Sequence, residues 1–259
     1  MTPLLVDDRE GVRTFTLNRP DSYNSLTVEL KEALRAGLTE AAEDPSVRAV
    51  VLTGAGKAFC AGQDLKEHVA LLRADDPAPF RTVAQHYNPI VRAITTMPKP
   101  VIAAVNGMAA GAGASFAYAA DLRIAATKAK FLMAFATIGL TADSGASWTL
   151  PRLIGYGRAM ELMLLAKPVT ADEALAMGMV TQVAEDALTT AQDLAARMAA
   201  GPTTGYAKIK AALLTAAGAD LETALTAETE GQETLGATAD HKEAVDAFVT
   251  KRTPTFQGR

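Results

Sequence analysis

Pro100-Val-Ile-Ala-Ala-Val-Asn-Gly-Met-Ala-Ala-Gly-Ala-Gly-Ala-Ser-Phe-Ala-Tyr118 is the stretch on which the fold turns. It opens with a β-branched run, Val101 to Val105, that is stopped by Asn106-Gly107 and followed by Gly111-Ala-Gly113. The segment from Pro100 to Ala120 carries no charge and is long enough by count to cross a bilayer. Its alanine content, three glycines and Asn106 make it too weakly hydrophobic per residue for that role. It reads instead as a buried strand, a turn and a short helix through Ser115, Phe116 and Tyr118. Glycines let the backbone approach a ligand closely, and a helix start points free N–H groups and partial positive charge at whatever lies in front. A dinucleotide site would use the same logic with a third glycine, and Phe116 occupies its place.

Upstream, Leu4 to Asp7 and Val12 to Leu17 alternate apolar and polar residues on either side of Glu10-Gly11, the pattern of a hairpin. Leu26, Leu30, Ala33, Leu34, Gly37, Leu38 and Ala41 recur at helical spacing, which predicts a helix over 27–43, stopped by Asp44-Pro45. Val47 to Thr53 is a second buried strand. Residues 79–96 read as a helix with Val83, Tyr87, Ile90, Val91 and Ile94 on one face and Pro89 inside the pattern. A short run at Met179 to Val183 precedes four helical segments near 186–200, 203–216, 220–235 and 239–250. Thr170 with Glu173, and Asp240 with Glu243, have capping-box spacing. The pattern implies an α/β core over 1–200 built as a spiral of turns, and a helical appendage over 201–259. The appendage reads equally as an assembly surface or as packing against its own core.

The chain has 259 residues, 49% of them apolar, and a formal charge of −4 with the signs interspersed. It is long enough for a substantial core, and no basic face is set up for nucleic acid. A single cysteine, Cys60, points to a reducing compartment and reads as a small buried filler rather than a nucleophile. The start of the sequence lacks a basic stretch followed by an apolar run, so a secretory leader is not expected and the cytoplasm is.

Few residues are placed for chemistry. Gly54-Ala-Gly-Lys57 lacks the upstream glycine and the magnesium-binding hydroxyl of a phosphate loop, because Val51 and Ala58 stand there. His68, His86 and His241 are too scattered for a metal. Asp143, in Gly139-Leu-Thr-Ala-Asp-Ser-Gly-Ala-Ser-Trp148, is a carboxylate with no neighbour to share acid–base work. An aspartate before Ser-Gly is also a common helix cap, and local sequence leaves both roles open.

Together these residues resemble the crotonase superfamily, the enoyl-CoA hydratase and isomerase group, over essentially the whole chain. The resemblance rests on Asn18-Arg-Pro20 with Asn24-Ser-Leu26, Gly54-Ala-Gly56 with Phe59-Cys-Ala-Gly-Gln-Asp-Leu65, Pro98-Lys-Pro100, and Asn106-Gly107 through Gly113. Asp121, Ala129-Lys-Phe131, Gly139, Leu150-Pro-Arg152 and Lys251 to Phe256 continue it. It implies a spiral of ββα turns with a C-terminal helical oligomerisation region, a homotrimer or dimer of trimers, and an acyl-CoA thioester as substrate. Coenzyme A would be part of that substrate, with no separate cofactor, no metal, no nucleic acid and no membrane partner.

Hydratases of the group use two glutamates, and Ser115 and Phe135 stand at their places here. Within the group the chain resembles the 1,2-epoxyphenylacetyl-CoA isomerases of phenylacetate breakdown, whose Asp-x-Gly-Gly-Thr-Trp becomes Asp143-Ser-Gly-Ala-Ser-Trp148. The resemblance implies Asp143 as the general base, the backbone N–H groups of Gln63 and Ala112 as the oxyanion hole, and Ala61, Gly62, Asp64, Leu65, Gly111, Phe135, Trp148 and Lys251 as substrate and CoA contacts. Phe135, Leu140 and Trp148 are expected to desolvate Asp143, and 66–90 with 133–148 to line the acyl pocket. The implied reaction is acyl-CoA isomerisation, 1,2-epoxyphenylacetyl-CoA to oxepin-CoA or 3-enoyl- to 2-enoyl-CoA. The alternatives are nucleophilic, dehalogenase-like chemistry, for which Phe135 and Asn88 replace the expected partners, and a non-catalytic acyl-CoA-binding paralogue.

Overall fold

A computed structural model describes residues 2–259. The elements are β1 (Leu4–Arg9), β2 (Val12–Leu17), α1 (Val28–Glu43), β3 (Ala49–Gly54), β4 (Ala58–Cys60), α2 (Leu65–Arg73), α3 (Asn88–Thr96), β5 (Val101–Val105), β6 (Met108–Ala110) and α4 (Ala112–Ala119). They continue with β7 (Leu122–Ala126), β8 (Lys130–Leu132), α5 (Ala146–Ile154), α6 (Tyr156–Leu165), β9 (Val169–Thr170), α7 (Ala171–Ala176) and β10 (Gln182–Ala184). Four helices close the chain: α8 (Ala187–Ala199), α9 (Thr203–Ala216), α10 (Leu221–Gly236) and α11 (Ala239–Thr250).

One sheet runs β1-β2-β3-β5-β7-β10, antiparallel only at the β1–β2 hairpin, and a second runs β4-β6-β8-β9. β3, β5 and β7 each lead by a short corner into β4, β6 and β8, so each turn lays one strand in either sheet. The corners are stitched by two buried or half-buried asparagines. Asn24 Nδ2 donates to the carbonyls of Ala55 and Ala58, and Asn106 Nδ2 donates to those of Gly56 and Ala58. Corner backbone that lacks a ladder partner is thereby satisfied.

Helix α1 forms where the spacing predicts. Thr27 caps it by accepting from Leu30 N, Asp44 ends it, and Leu30, Leu34, Leu38 and Ala41 are wholly buried. Each such leucine contributes about 2 kcal/mol of apolar burial. The small residues Ala191, Ala195 and Ala199 let α8 lie close across β3, β5 and β7. No helix among the described residues is long and apolar enough to cross a membrane, and the uncharged stretch 100–120 divides into β5, β6 and α4.

Three local expectations are corrected. The segment from 79 is not one helix: a π-helical turn at Val83–Tyr87 precedes α3, where Pro89 takes a first-turn position that needs no N–H. The Met179 run reaches the sheet only at Gln182. Thr170 and Glu173 form a capping box, but α11 is capped by Thr238, which accepts from His241 N. Asp240 instead turns inward to accept from Gln257 N and Gly258 N at 2.7 and 2.8 Å, and Glu243 pairs with Arg252.

The C-terminal segment is tied to its own core and also leaves apolar side chains in solvent. Arg48 donates to the carbonyl oxygens of Gly201 and Phe256, which ties the start of α9 and the final residues to the core. Ile209, Leu213, Leu221, Phe248 and Val249 nevertheless lie more than half exposed on α9 to α11.

Candidate active site

Two strand ends and one helix start meet where β4 and β6 finish. Leu26 N donates to Gly62 O at 2.8 Å and Leu26 O accepts from Asp64 N at 3.3 Å, a single parallel bridge. This pairing consumes the groups on either side of Gln63 and leaves the Gln63 N–H facing the opposite way, with no acceptor among the described residues. Ala112 is the first residue of α4, so its N–H has no intrahelical acceptor. The two free donors are neighbours, because Gly62, at φ +87°, packs directly against Ala112 N. Helix α4 is buried along its whole length, and its start is pressed onto β4. A side-chain carbon on Gly113 would meet Cys60 O at 2.3 Å.

Asp143 is held to the same helix. Ser115 Oγ, one turn into α4, donates to Gly111 O at 3.0 Å and reaches Asp143 O at 3.5 Å, while Ala146 N donates to Asp143 O at 3.1 Å. The carboxylate accepts from Ser144 Oγ through Oδ1 at 2.8 Å, and Oδ2 has no partner among the described residues. Burial raises the Asp143 pKa above the ordinary carboxylate value, and the Ser144 hydrogen bond opposes that only in part. A half-buried carboxylate with one free oxygen and raised basicity is suited to taking a proton from carbon. Tyr87, 1% exposed, is close enough for the Asp143 charge to raise its pKa as well, after burial itself.

The remaining sequence candidates are dispersed around this point. Gly111 and Phe135 adjoin it: a carbon on Gly111 would lie 3.8 Å from Phe135 Cζ. Phe135 and Ala142 are partly buried against the core, whereas Leu140 and Trp148 are 37% and 41% exposed, and the Trp148 ring stacks under Arg152 at 4.1 Å. Asp64 is buried, with its carboxylate committed to Arg19, Ser25 and the first N–H groups of α2. Its role is to hold the loop that carries Gln63. Ala61 and Leu65 are exposed beside that loop, with Ala61 N donating to Tyr23 O. Lys251 is exposed at the end of α11, which packs chiefly on α10. Cys60 is wholly buried with its thiol pushed up to about 12, so it stays protonated. No cluster of metal-ligating side chains occurs among the described residues.

Sequence reasoning passed over two residues at this site, Lys31 and Tyr87. Lys31 sits at helical spacing with Leu34 and Leu38 inside the apolar stripe of α1 and is itself 0% exposed. A lysine inside such a stripe was the available signal.

Comparison with known proteins shows which family the chain belongs to. The model of the family described as enoyl-CoA hydratase/isomerase matches residues 7–259. The chain is 44% identical over 252 residues to 1,2-epoxyphenylacetyl-CoA isomerase of Escherichia coli, covering 96% of each chain. It is 34% identical to the trans-2-decenoyl-[acyl-carrier-protein] isomerase of Streptococcus mutans over 99% of this chain and 98% of that one. A crystal structure of a candidate enoyl-CoA hydratase/isomerase from Mycobacterium abscessus superimposes with a TM-score of 0.95 at 42% identity, covering 99% of this chain and 100% of that one.

Proposed function

Because the chain belongs to the enoyl-CoA hydratase/isomerase family, we propose that it is an acyl-CoA isomerase in which Asp143 moves one proton while the Gln63 and Ala112 N–H groups hold the thioester oxygen. Asp143 Oδ2 takes a proton from the carbon next to the thioester carbonyl. The electrons of that C–H bond pass into the carbonyl, and the two N–H groups bind the resulting enolate oxygen. The same carboxyl returns the proton elsewhere on the conjugated system. In a 3-enoyl thioester the double bond moves into conjugation. In the ring epoxide the bond between the two oxirane carbons also breaks, its electrons entering the π system as the seven-membered oxepin forms, so in both the composition is unchanged. No separate cofactor takes part.

The observation that carries this reading is the single carboxylate. Asp143 is tied through its carbonyl to Ser115 on α4, the helix whose first N–H is one of the two donors, whereas the Asp64 carboxylate is taken up by Arg19, Ser25 and the start of α2. The family resemblance puts Ser115 and Phe135 at the positions of the hydratase glutamates. Ser115 is buried and hydrogen-bonded to backbone, and Phe135 is apolar. Hydration needs an acid and a base acting on water, whereas a proton shuttle needs one group that does both in turn.

The magnitudes require the other features of the site. A carboxylate of ordinary pKa, about 3.9, is a weak base for a carbon acid, and each unit of mismatch costs about 1.4 kcal/mol. Each preorganised donor recovers about 3 kcal/mol as charge develops on the oxygen. Burial of Asp143 narrows the mismatch from the other side.

The names of the E. coli and S. mutans relatives support isomerisation, and the substrate we propose is 1,2-epoxyphenylacetyl-CoA, converted to oxepin-CoA, or a 3-enoyl-CoA. Asp143→Asn is expected to bind the CoA ester and to lose at least 10³-fold in turnover, together with deuterium exchange next to the thioester. Turnover within tenfold of the parent would end the proposal. We also place the working protein in a trimer or dimer of trimers built through α9 to α11, in which Lys251 reaches a neighbour's CoA.

A further inference from the structure

Lys31 is wholly buried, yet no carboxylate lies within ion-pair distance of it among the described residues. Its ammonium donates to Thr82 Oγ1 at 2.8 Å, approaches Gln63 Oε1 at 3.5 Å, and stands 5.4 Å from the centre of the Tyr87 ring. The Tyr87 hydroxyl donates to the same Gln63 Oε1. Lysine offers only donors, so the amide oxygen of Gln63 must face it, and both lone pairs of that oxygen are then taken. Thr82 Oγ1 in turn is 3.0 Å from His86 Nδ1. Burial first, and then the Lys31 charge, lower the His86 pKa, which keeps that ring neutral and able to accept.

This arrangement costs stability that a methionine at position 31 would not. An unpaired buried ammonium is among the more expensive groups to bury, and burial lowers its pKa in spite of the more distant Glu67 and Asp64. What it acts on is Gln63. Main-chain pairing with Leu26 sets the backbone on either side of Gln63, and the Lys31–Tyr87 pair fixes the side chain, so the residue is held at both ends.

We propose that Lys31 and Tyr87 are positioning residues that lock Gln63 and so aim its N–H at the thioester oxygen, with the Lys31 charge adding to the positive potential there. The proposal rests on the reading of Gln63 as an oxyanion-hole donor. Neither residue need touch the substrate. The ammonium is joined to the hole through the Gln63 side chain, and a unit charge about 10 Å away in a protein interior changes a rate by on the order of tenfold.

The test uses the full-length protein, Lys31→Met and Tyr87→Phe, and an acyl-CoA carrying ¹³C at the thioester carbonyl. Infrared difference spectra read polarisation of that carbonyl directly, which a role confined to packing would not alter. Wild type is expected to shift the carbonyl stretch to lower frequency than in water. Both variants are expected to lose a large part of that shift and to fall about 10- to 100-fold in kcat with KM within threefold. Lys31→Met is expected to melt no lower than wild type, since it removes a buried charge. A full wild-type shift in both folded variants, with kcat within twofold, overturns the proposal alone. No shift in wild type overturns the oxyanion-hole reading and this proposal with it. Should Lys31→Met fail to fold, Tyr87→Phe, which removes one oxygen atom, decides by the same two readings.

Discussion

A carbon built on Gly62 would stand 3.4 Å from the backbone nitrogen of Ala112 and 2.8 Å from the carbonyl oxygen of Ala110. The glycine is therefore what lets the Gln63 loop lie against the start of α4 and brings two unpaired N–H groups side by side. Gly62→Ala is strained twice over, by its φ of +87° and by that contact. We expect a loss of about 1 kcal/mol or more, which lowers the melting temperature by about 2–4 °C in a chain of this size. The displaced donor should lower kcat by about 10²-fold. Calorimetry with steady-state kinetics checks both, and an unchanged kcat would separate Gly62 from the site.

The raised pKa of Asp143 sets opposite signs for stability and activity. The folded chain holds this proton more tightly than the unfolded chain does. The contribution of Asp143 to stability therefore falls as pH rises from the ordinary carboxylate value through the raised one, and the anion is a net cost at neutral pH. In the proposed role of general base Asp143 must be deprotonated, so activity should rise across the same window. Asp143→Asn is expected to melt at the same or a higher temperature than the parent at pH 7, by up to about 2–4 °C for each 1 kcal/mol relieved, with the difference narrowing toward acid pH. A variant that melts lower at pH 7 than at acid pH, relative to the parent, would reverse the sign.

Lys210 Nζ donates to Asp121 Oδ2 at 2.7 Å and to Lys99 O at 3.0 Å, joining α9 to the strand pair β5–β7. Desolvation is the largest influence on both partners, raising the Asp121 pKa and lowering that of Lys210 in spite of their attraction. Breaking such a pair strands a buried charge. Lys210→Met is expected to destabilise by about 3–5 kcal/mol in urea unfolding. The double variant Lys210→Met, Asp121→Asn should recover part of that loss, and no recovery would show that packing rather than charge is at stake.

Phe248 and Val249 are 85% and 70% exposed on α11, with Leu213 and Ile209 exposed on α9. Exposed apolar surface of this kind is usual at subunit contacts. Light scattering is expected to give a multiple of the monomer mass, and Phe248→Glu to reduce it. A monomeric parent would remove the C-terminal helices from consideration as an interface.

Much of the scaffold was legible in advance because its signals are local. Thr27, the Leu30-Leu34-Leu38 stripe and Asp44-Pro45 bound α1 without outside help, and the four C-terminal helices lie within a residue or two of their predicted spans. One misreading arose where a distant group competed for a side chain. Asp240 has capping spacing, but the chain's last residues return to it and take its carboxylate. Leu140 and Trp148 were expected to enclose Asp143, yet both retain more than a third of their surface in solvent.

The order of apolar runs, the glycines at the turns and the lone aspartate after Gly139 were settled by the chain alone, since propensity, steric freedom and residue chemistry act over a few positions. The tertiary structure decided which atoms are left free. The Gln63 N–H is unpaired because Leu26 binds its neighbours, Asp143 gains basicity because the fold buries it, and Lys31 reaches Gln63 from the first turn of α1. Each of these depends on groups far apart in the chain whose approach is set by packing, and no local pattern encodes it.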